Sequence, residues 1–140
     1  MRQDNPHSID EAEVRSSPPK VLVVDEDIQD LSSHAMPFEA HGCKVYKCSS
    51  YETALRSIEK EDFDLAIVDQ GSTAFEGERV IVHLNLYSRR TPFIVLARRM
   101  DTKCYLQALG LGAVDYLEKP VSAEEMNRVI QHFLGISFKT

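Results

Sequence analysis

Along the chain, short unbroken apolar runs alternate with segments whose apolar residues recur every three or four positions. VLVV (21–24), LAIV (65–68) and FIVL (93–96) are rich in β-branched residues and carry no polar interruption. Such runs predict strands covered on both faces. CKVYKC (43–48) and AVDYL (113–117) are less apolar. The two lysines of the first suit an edge strand, where charge discourages pairing with another sheet.

Helical patterns fill the intervals. Ser49-x-x-Glu52 and Ser122-x-x-Glu125 each have the form of a capping box, in which two orphan backbone donors at a helix start are satisfied reciprocally. After the second, Met126, Val129, Ile130, Phe133 and Leu134 form an apolar stripe at helical spacing. Gly112 is placed to close the helix containing Tyr105, Ala108 and Leu109. Pro37 lies inside the first helical segment, which it is expected to kink or split. Five strands alternating with five helices predict an α/β fold, a doubly wound parallel sheet with helices on both faces. Residues 20–135 read as one domain, 1–19 as a flexible arm ending in SSPP, and 136–140 as a short tail.

Composition narrows the function. A net charge of −6 argues against direct nucleic-acid binding, which needs a basic face, and against an anionic membrane surface. No apolar run exceeds about five residues, far short of a bilayer span. The first twenty residues are polar and lack the apolar stretch of a signal peptide. Cys43, Cys48 and Cys104 form neither a CxxC pair nor an even set, so they read as reduced, mostly buried thiols of a cytoplasmic protein. The histidines His7, His34, His41, His83 and His132 show no metal spacing and are expected at the surface.

In doubly wound sheets the ligand crevice lies beyond the carboxyl ends of the strands. The first predicted strand delivers Asp25 and Glu26 there, the third Asp69, the fourth Ala97, and the fifth Tyr116 followed by Lys119-Pro120. Three carboxylates a few ångströms apart repel one another by several kcal/mol at an intermediate dielectric. A hard divalent cation explains such a cluster most simply, since Mg²⁺ takes one or two carboxylates and keeps its other positions for water and phosphate. Lys119 supplies a second positive charge, suited to a phosphoryl oxygen or to Asp69. Asp27 reads as the N-cap of the first helix.

These segments resemble the receiver domains of two-component response regulators over roughly residues 20 to 135. VLVVDED resembles the family's first strand and acidic pair. In DLAIVDQGSTAFEG, Asp69 stands eight residues before Gly77, as the phosphate-accepting aspartate does before its glycine. GAVDYLEKP resembles the fifth strand with its aromatic residue, lysine and proline. The resemblance implies a flavodoxin-like (βα)5 sheet of strand order 2-1-3-4-5. It implies that Asp69 accepts a phosphoryl group from a histidine kinase or phosphotransfer protein, and that Lys119 pairs with that group. Asp25, Glu26, Asp69 and the backbone carbonyl of Gly71 would hold Mg²⁺. Signalling would proceed by contacts with a downstream protein through the face of the fourth helix, fifth strand and fifth helix, a face that also admits a homodimer. With no output domain after Thr140, a stand-alone receiver and a piece of a longer regulator both remain open.

Three positions depart from the family pattern. Ala97 stands where a threonine or serine normally bonds the new phosphoryl group, Arg98 where a small residue follows it, and Ser72-Thr73 where Met-Pro is usual. Arg98 either reaches a phosphoryl oxygen or is a plain exposed arginine. A hydrogen bond to a charged group contributes about 1.5–3 kcal/mol, comparable to the roughly 1–3 kcal/mol of typical allosteric couplings. Phosphorylation chemistry is therefore expected to survive, with the switch at Ala97 and Tyr116 altered. The alternative is a receiver-like interaction module that works without regulated phosphorylation. A haloacid-dehalogenase-type phosphatase, with Asp25 and Asp27 in its DxD opening, lacks its usual following residue at Gln29 and a late acidic motif. A flavin site would set the cofactor's phosphate against an acidic loop.

Overall fold

The fold, a computed structural model describing residues 17–136, follows the alternation of the sequence. Its elements are β1 (Lys20–Val24), α1 (Ile28–Ala40), β2 (Lys44–Cys48), α2 (Tyr51–Lys60), β3 (Leu65–Asp69), α3 (Glu78–Tyr87), β4 (Phe93–Ala97), α4 (Thr102–Gly110), β5 (Asp115–Glu118) and α5 (Ala123–Leu134). The five strands are parallel and ordered β2-β1-β3-β4-β5. Sequential parallel strands need right-handed crossovers. Reversing the strand order between β2 and β3 therefore sends α1 and α5 to one face and α2, α3 and α4 to the other.

Alternation along each strand feeds two cores. Val21, Val23, Leu65, Ile67, Ile94 and Leu96 pack under α1 and α5 against Phe38, Met126 and Ile130. Leu22, Val24, Ala66, Val68, Val95 and Ala97 point the other way, toward Ala54, Ile58, Ile81, Leu84 and Ala108. Each fully buried side chain of the larger kinds contributes about 1.5–3 kcal/mol, which is why β1 after Lys20, β3 before Asp69 and all of β4 carry only apolar residues. β2, with Lys44 and Lys47 exposed, lies at one sheet edge as expected.

Two local expectations change. Pro37 does not split α1, which runs unbroken from Ile28 to Ala40. The N–H that proline lacks would have served Ser33, an exposed residue at the solvent face of the helix. The N-cap of α2 is Ser50, whose hydroxyl accepts from the Thr53 N–H at 3.1 Å; Ser49 stands one position too early. Asp27 and Ser122 do cap α1 and α5. Helix α4 ends at Gly110, and Gly112 follows in the left-handed region at φ +104°. Most of the expected arm and tail, residues 1–16 and 137–140, lies outside the described residues.

Candidate functional site

Backbone pairing runs one residue past the strand ends and delivers the site. The Asp25 N–H donates to the Cys48 carbonyl (3.1 Å), the Gln70 N–H to Leu96 (2.8 Å) and the Lys119 N–H to Ala97 (2.9 Å). Asp25, Asp69 and Lys119 thus reach one point from β1, β3 and β5, and all three are buried. The Lys119 ammonium donates to Asp25 Oδ2 at 2.7 Å and lies 2.7 Å from Asp69 Oδ1. A third carboxylate, Asp30, accepts from Lys119 at 3.1 Å.

The backbone holds these carboxylates in place. Asp25 Oδ1 accepts from the Asp27 N–H (3.0 Å), and Asp69 Oδ2 from the Gly71 N–H (3.1 Å). Gly71 has φ +86°, the left-handed conformation that glycine adopts without strain. Gly77 is required for a different reason. A Cβ there would lie 2.1 Å from the Asp69 carbonyl oxygen, so the start of α3 can approach the strand end only without a side chain.

Burial, then the neighbouring Asp69 charge, push the Asp25 carboxyl above its ordinary value in spite of Lys119. Burial pulls Lys119 down, but the bonds to Asp25 and Asp69 outweigh it and leave the ammonium raised. Asp30, although partly desolvated, is lowered by Lys119 and Arg98.

Arg98 has an exposed guanidinium that bonds Asp30 at the mouth of the pocket. It is thus neither a free surface arginine nor, in this arrangement, in contact with Asp69. Glu26 is exposed beside the pocket. Ala97 is fully buried and offers no hydroxyl. Tyr116 is 7% exposed and points inward. Its hydroxyl donates to the Gln70 side chain and accepts from the Asp101 N–H.

Three site neighbours escaped the sequence reading. Asp30 lies one turn beyond the Asp27 cap. His34, expected at the surface, is 5% exposed and places Nδ1 3.9 Å from Asp25 Oδ2. Its neighbours Leu31, Ala35 and Phe38 define the buried stripe of α1, and that periodicity was the available signal. Burial, and then Lys119, push the His34 imidazole below its ordinary value, toward the neutral form. Tyr51 is likewise buried, and its hydroxyl has no hydrogen-bond partner within the described protein. Burial first, then the charges of Asp69, Glu26, Glu76 and Asp25, push that hydroxyl upward.

Among the described residues, no three carboxylate, histidine or cysteine side chains form a ready-made metal cage. The donor chemistry nevertheless fits a hydrated Mg²⁺, which needs only one or two carboxylates and keeps several waters. Asp25 and Asp69 meet that need. The orphaned Tyr51 hydroxyl, turned toward the same negative charges, is a polar group that coordinated water would satisfy.

Comparison with known proteins places this geometry. Residues 21–131 match the family described as the response regulator receiver domain. The transcriptional regulatory protein KdpE of Mycobacterium tuberculosis is 33% identical over 105 residues, 75% of this chain and 46% of its own length. The two-component response regulator ARR2 of Arabidopsis thaliana is 31% identical over 81% of this chain and 17% of its own length. The chain spans about half or less of the curated relatives it matches. A CheY-like receiver domain from Methanospirillum hungatei superposes with a TM-score of 0.78 at 25% identity, covering 85% of this chain and 95% of that one. A receiver domain of a Pseudomonas aeruginosa sensor histidine kinase, described with magnesium in its active-site cleft, has the same fold (TM-score 0.73, 22% identity, 86% of this chain and 100% of that one). The chain belongs to the receiver-domain family of two-component response regulators, and its sheet is the CheY-like, flavodoxin-like one. No helix among the described residues is long and apolar enough to cross a membrane.

Proposed function

We propose that Asp69 is the phosphoacceptor of a phosphorelay, taking its phosphoryl group from the phosphohistidine of a kinase or phosphotransfer protein in a Mg²⁺-dependent reaction. The observation that carries this reading is the convergence of Asp25, Asp69 and Lys119 within hydrogen-bonding distance at the strand ends. Phosphoryl transfer asks the protein for positioning and charge neutralisation more than for covalent help.

In this reading Asp69 Oδ1 attacks phosphorus, the bond to the donor nitrogen breaks, and Lys119 turns from the carboxylate to a phosphoryl oxygen. Asp25, Glu26, Asp69 and the Gly71 carbonyl would hold Mg²⁺, which supplies neutralisation of the charge spreading over the phosphoryl oxygens. Asp30 keeps the Lys119 ammonium directed at the pocket. Arg98 is the second cation within reach and can exchange Asp30 for a phosphoryl oxygen in a bidentate bond. The protein acts here as a phosphoacceptor rather than as an enzyme on a separate substrate.

The signalling face in this reading is α4–β5–α5. Tyr105, Leu106 and Leu109 of α4 and the adjacent Val114 are exposed apolar residues there, which suits contact with a downstream protein or a second copy. The second reading, a receiver-like module acting without regulated phosphorylation, is favoured by Ala97 alone. Incubation with a small acyl phosphate, with and without Mg²⁺, followed by intact mass separates the two. A phosphoryl adduct that needs Mg²⁺ supports the first reading, and an unchanged mass supports the second.

A further inference from the structure

The side chain of Gln70 is fully buried, next in sequence to Asp69, and bonded to three separate segments. Its Nε2 donates to the carbonyl of Ser72 (3.3 Å) in the β3–α3 loop and to that of Arg99 (3.1 Å) in the β4–α4 loop. Its Oε1 accepts the Tyr116 hydroxyl from β5. The same hydroxyl accepts the Asp101 N–H at 3.2 Å, at the residue that caps α4. Gln70 backbone atoms complete the tie, with its N–H on Leu96 and its carbonyl accepting the Gly77 N–H.

This arrangement differs from a glutamine that merely fills space. A buried amide is costly unless its donors and acceptor are all engaged, and here the donors have partners on two loops and the acceptor a partner on β5. The pattern also fixes the orientation of the amide, because turning it over would set its oxygen against two carbonyls. The Tyr116 ring is wedged further by Tyr105, at 5.4 Å and edge-on. None of these bonds involves an Asp69 side-chain oxygen, so none is made or broken by chemistry on that carboxylate.

We propose that Gln70 is a positioning residue that clamps Tyr116 inward and fastens the loops leading into α3 and α4 into one unit, so that β5 and the start of α4 keep a single arrangement whether or not Asp69 is phosphorylated. The proposal rests on the phosphoacceptor reading only for its second half. The clamp itself is a property of the unmodified protein. Ala97 fits the same picture, since with no hydroxyl at the end of β4 the hydrogen bonds of the Tyr116 hydroxyl are to Gln70 and Asp101.

The test labels the chain with 3-fluorotyrosine and follows the fluorine resonance of Tyr116, assigned by its loss in Tyr116→Phe. In the wild type a single narrow Tyr116 line is expected, and beryllofluoride with Mg²⁺ should leave its position unchanged. In Gln70→Leu the line should broaden or split into inward and outward populations, and the Asp101 amide should exchange at least tenfold faster. Gln70→Glu keeps an oxygen acceptor for the Tyr116 hydroxyl, now on a carboxyl group, but loses both amide donors; it should keep the Tyr116 line while freeing the Ser72 and Arg99 loops. That variant carries the test if the leucine variant does not fold. A wild-type Tyr116 line that moves to a new position with beryllofluoride overturns the proposal. So does a Gln70→Leu line indistinguishable from wild type in a folded protein. Intact mass after acyl phosphate treatment is read on the same samples. A missing adduct then counts against the phosphoacceptor reading, while the unliganded comparison of wild type and Gln70→Leu still decides the clamp.

Discussion

The ammonium of Lys119 stands 2.7 Å from the Asp69 carboxylate while bonding Asp25 at the same distance, so a single cation from β5 bridges the ends of β1 and β3. Between β3 and β5 in the ladder lies β4, which ends in Ala97 and contributes only backbone at this point. That division of labour explains why the charge chemistry of the pocket is complete although its fourth strand carries no polar side chain.

Replacing Lys119 by Gln should therefore destabilise the fold by about 3–5 kcal/mol at neutral pH, the usual cost of stranding buried charges. The effect depends on pH in a defined direction. The folded Lys119 ammonium titrates above the ordinary lysine value of 10.5, so its contribution is fully present below 10.5 and is lost as pH rises through the folded value. Urea unfolding of both proteins from pH 7 to 11 should show the difference between them shrinking only at the alkaline end.

Gly77→Ala tests the contact between the start of α3 and the Asp69 end of β3. The added methyl would meet the Asp69 carbonyl at 2.1 Å, and rigid backbone cannot yield cheaply. A loss of about 3 kcal/mol is expected, at the upper end of overpacking costs. Slower labelling of Asp69 by an acyl phosphate should accompany it, because the strand end must shift.

Asp27→Ala separates capping from metal binding. The Asp27 carboxylate accepts from the Gln29 and Asp30 N–H groups and makes a helix cap, so its loss should cost about 1 kcal/mol in thermal or urea unfolding. The Mg²⁺ dependence of phosphorylation should be unchanged. Asp25→Asn, by contrast, should raise the Mg²⁺ concentration needed for labelling at least tenfold.

The sequence made the sheet legible because VLVV, LAIV and FIVL are apolar on both faces, and strands of that kind have few alternatives. Asp25, Asp69 and Lys119 were legible because each ends or directly follows a strand whose end the fold class points at the crevice. Asp30, His34 and Gln70 were not, for a common reason. Each is polar yet buried or half-buried by a contact outside its own element: Asp30 with Lys119 and Arg98, His34 beside Asp25, Gln70 with Tyr116. Only His34 left a local trace, occupying an apolar position in the stripe of α1. The one-residue error at Ser50 has a simpler origin, since adjacent serines before Tyr51 offer two caps and only the backbone conformation chooses between them.

The most direct measurement is to trap the phosphoryl group where it forms. Protein incubated with an acyl phosphate and Mg²⁺ is reduced with borohydride, which converts an aspartyl phosphate to homoserine, and then mapped by peptide mass spectrometry. Homoserine at position 69, absent without Mg²⁺ and absent in Asp69→Asn, is the predicted result. Reduction at Asp25 or Asp30, or none at any carboxylate, would contradict the assignment of Asp69 as the phosphoacceptor.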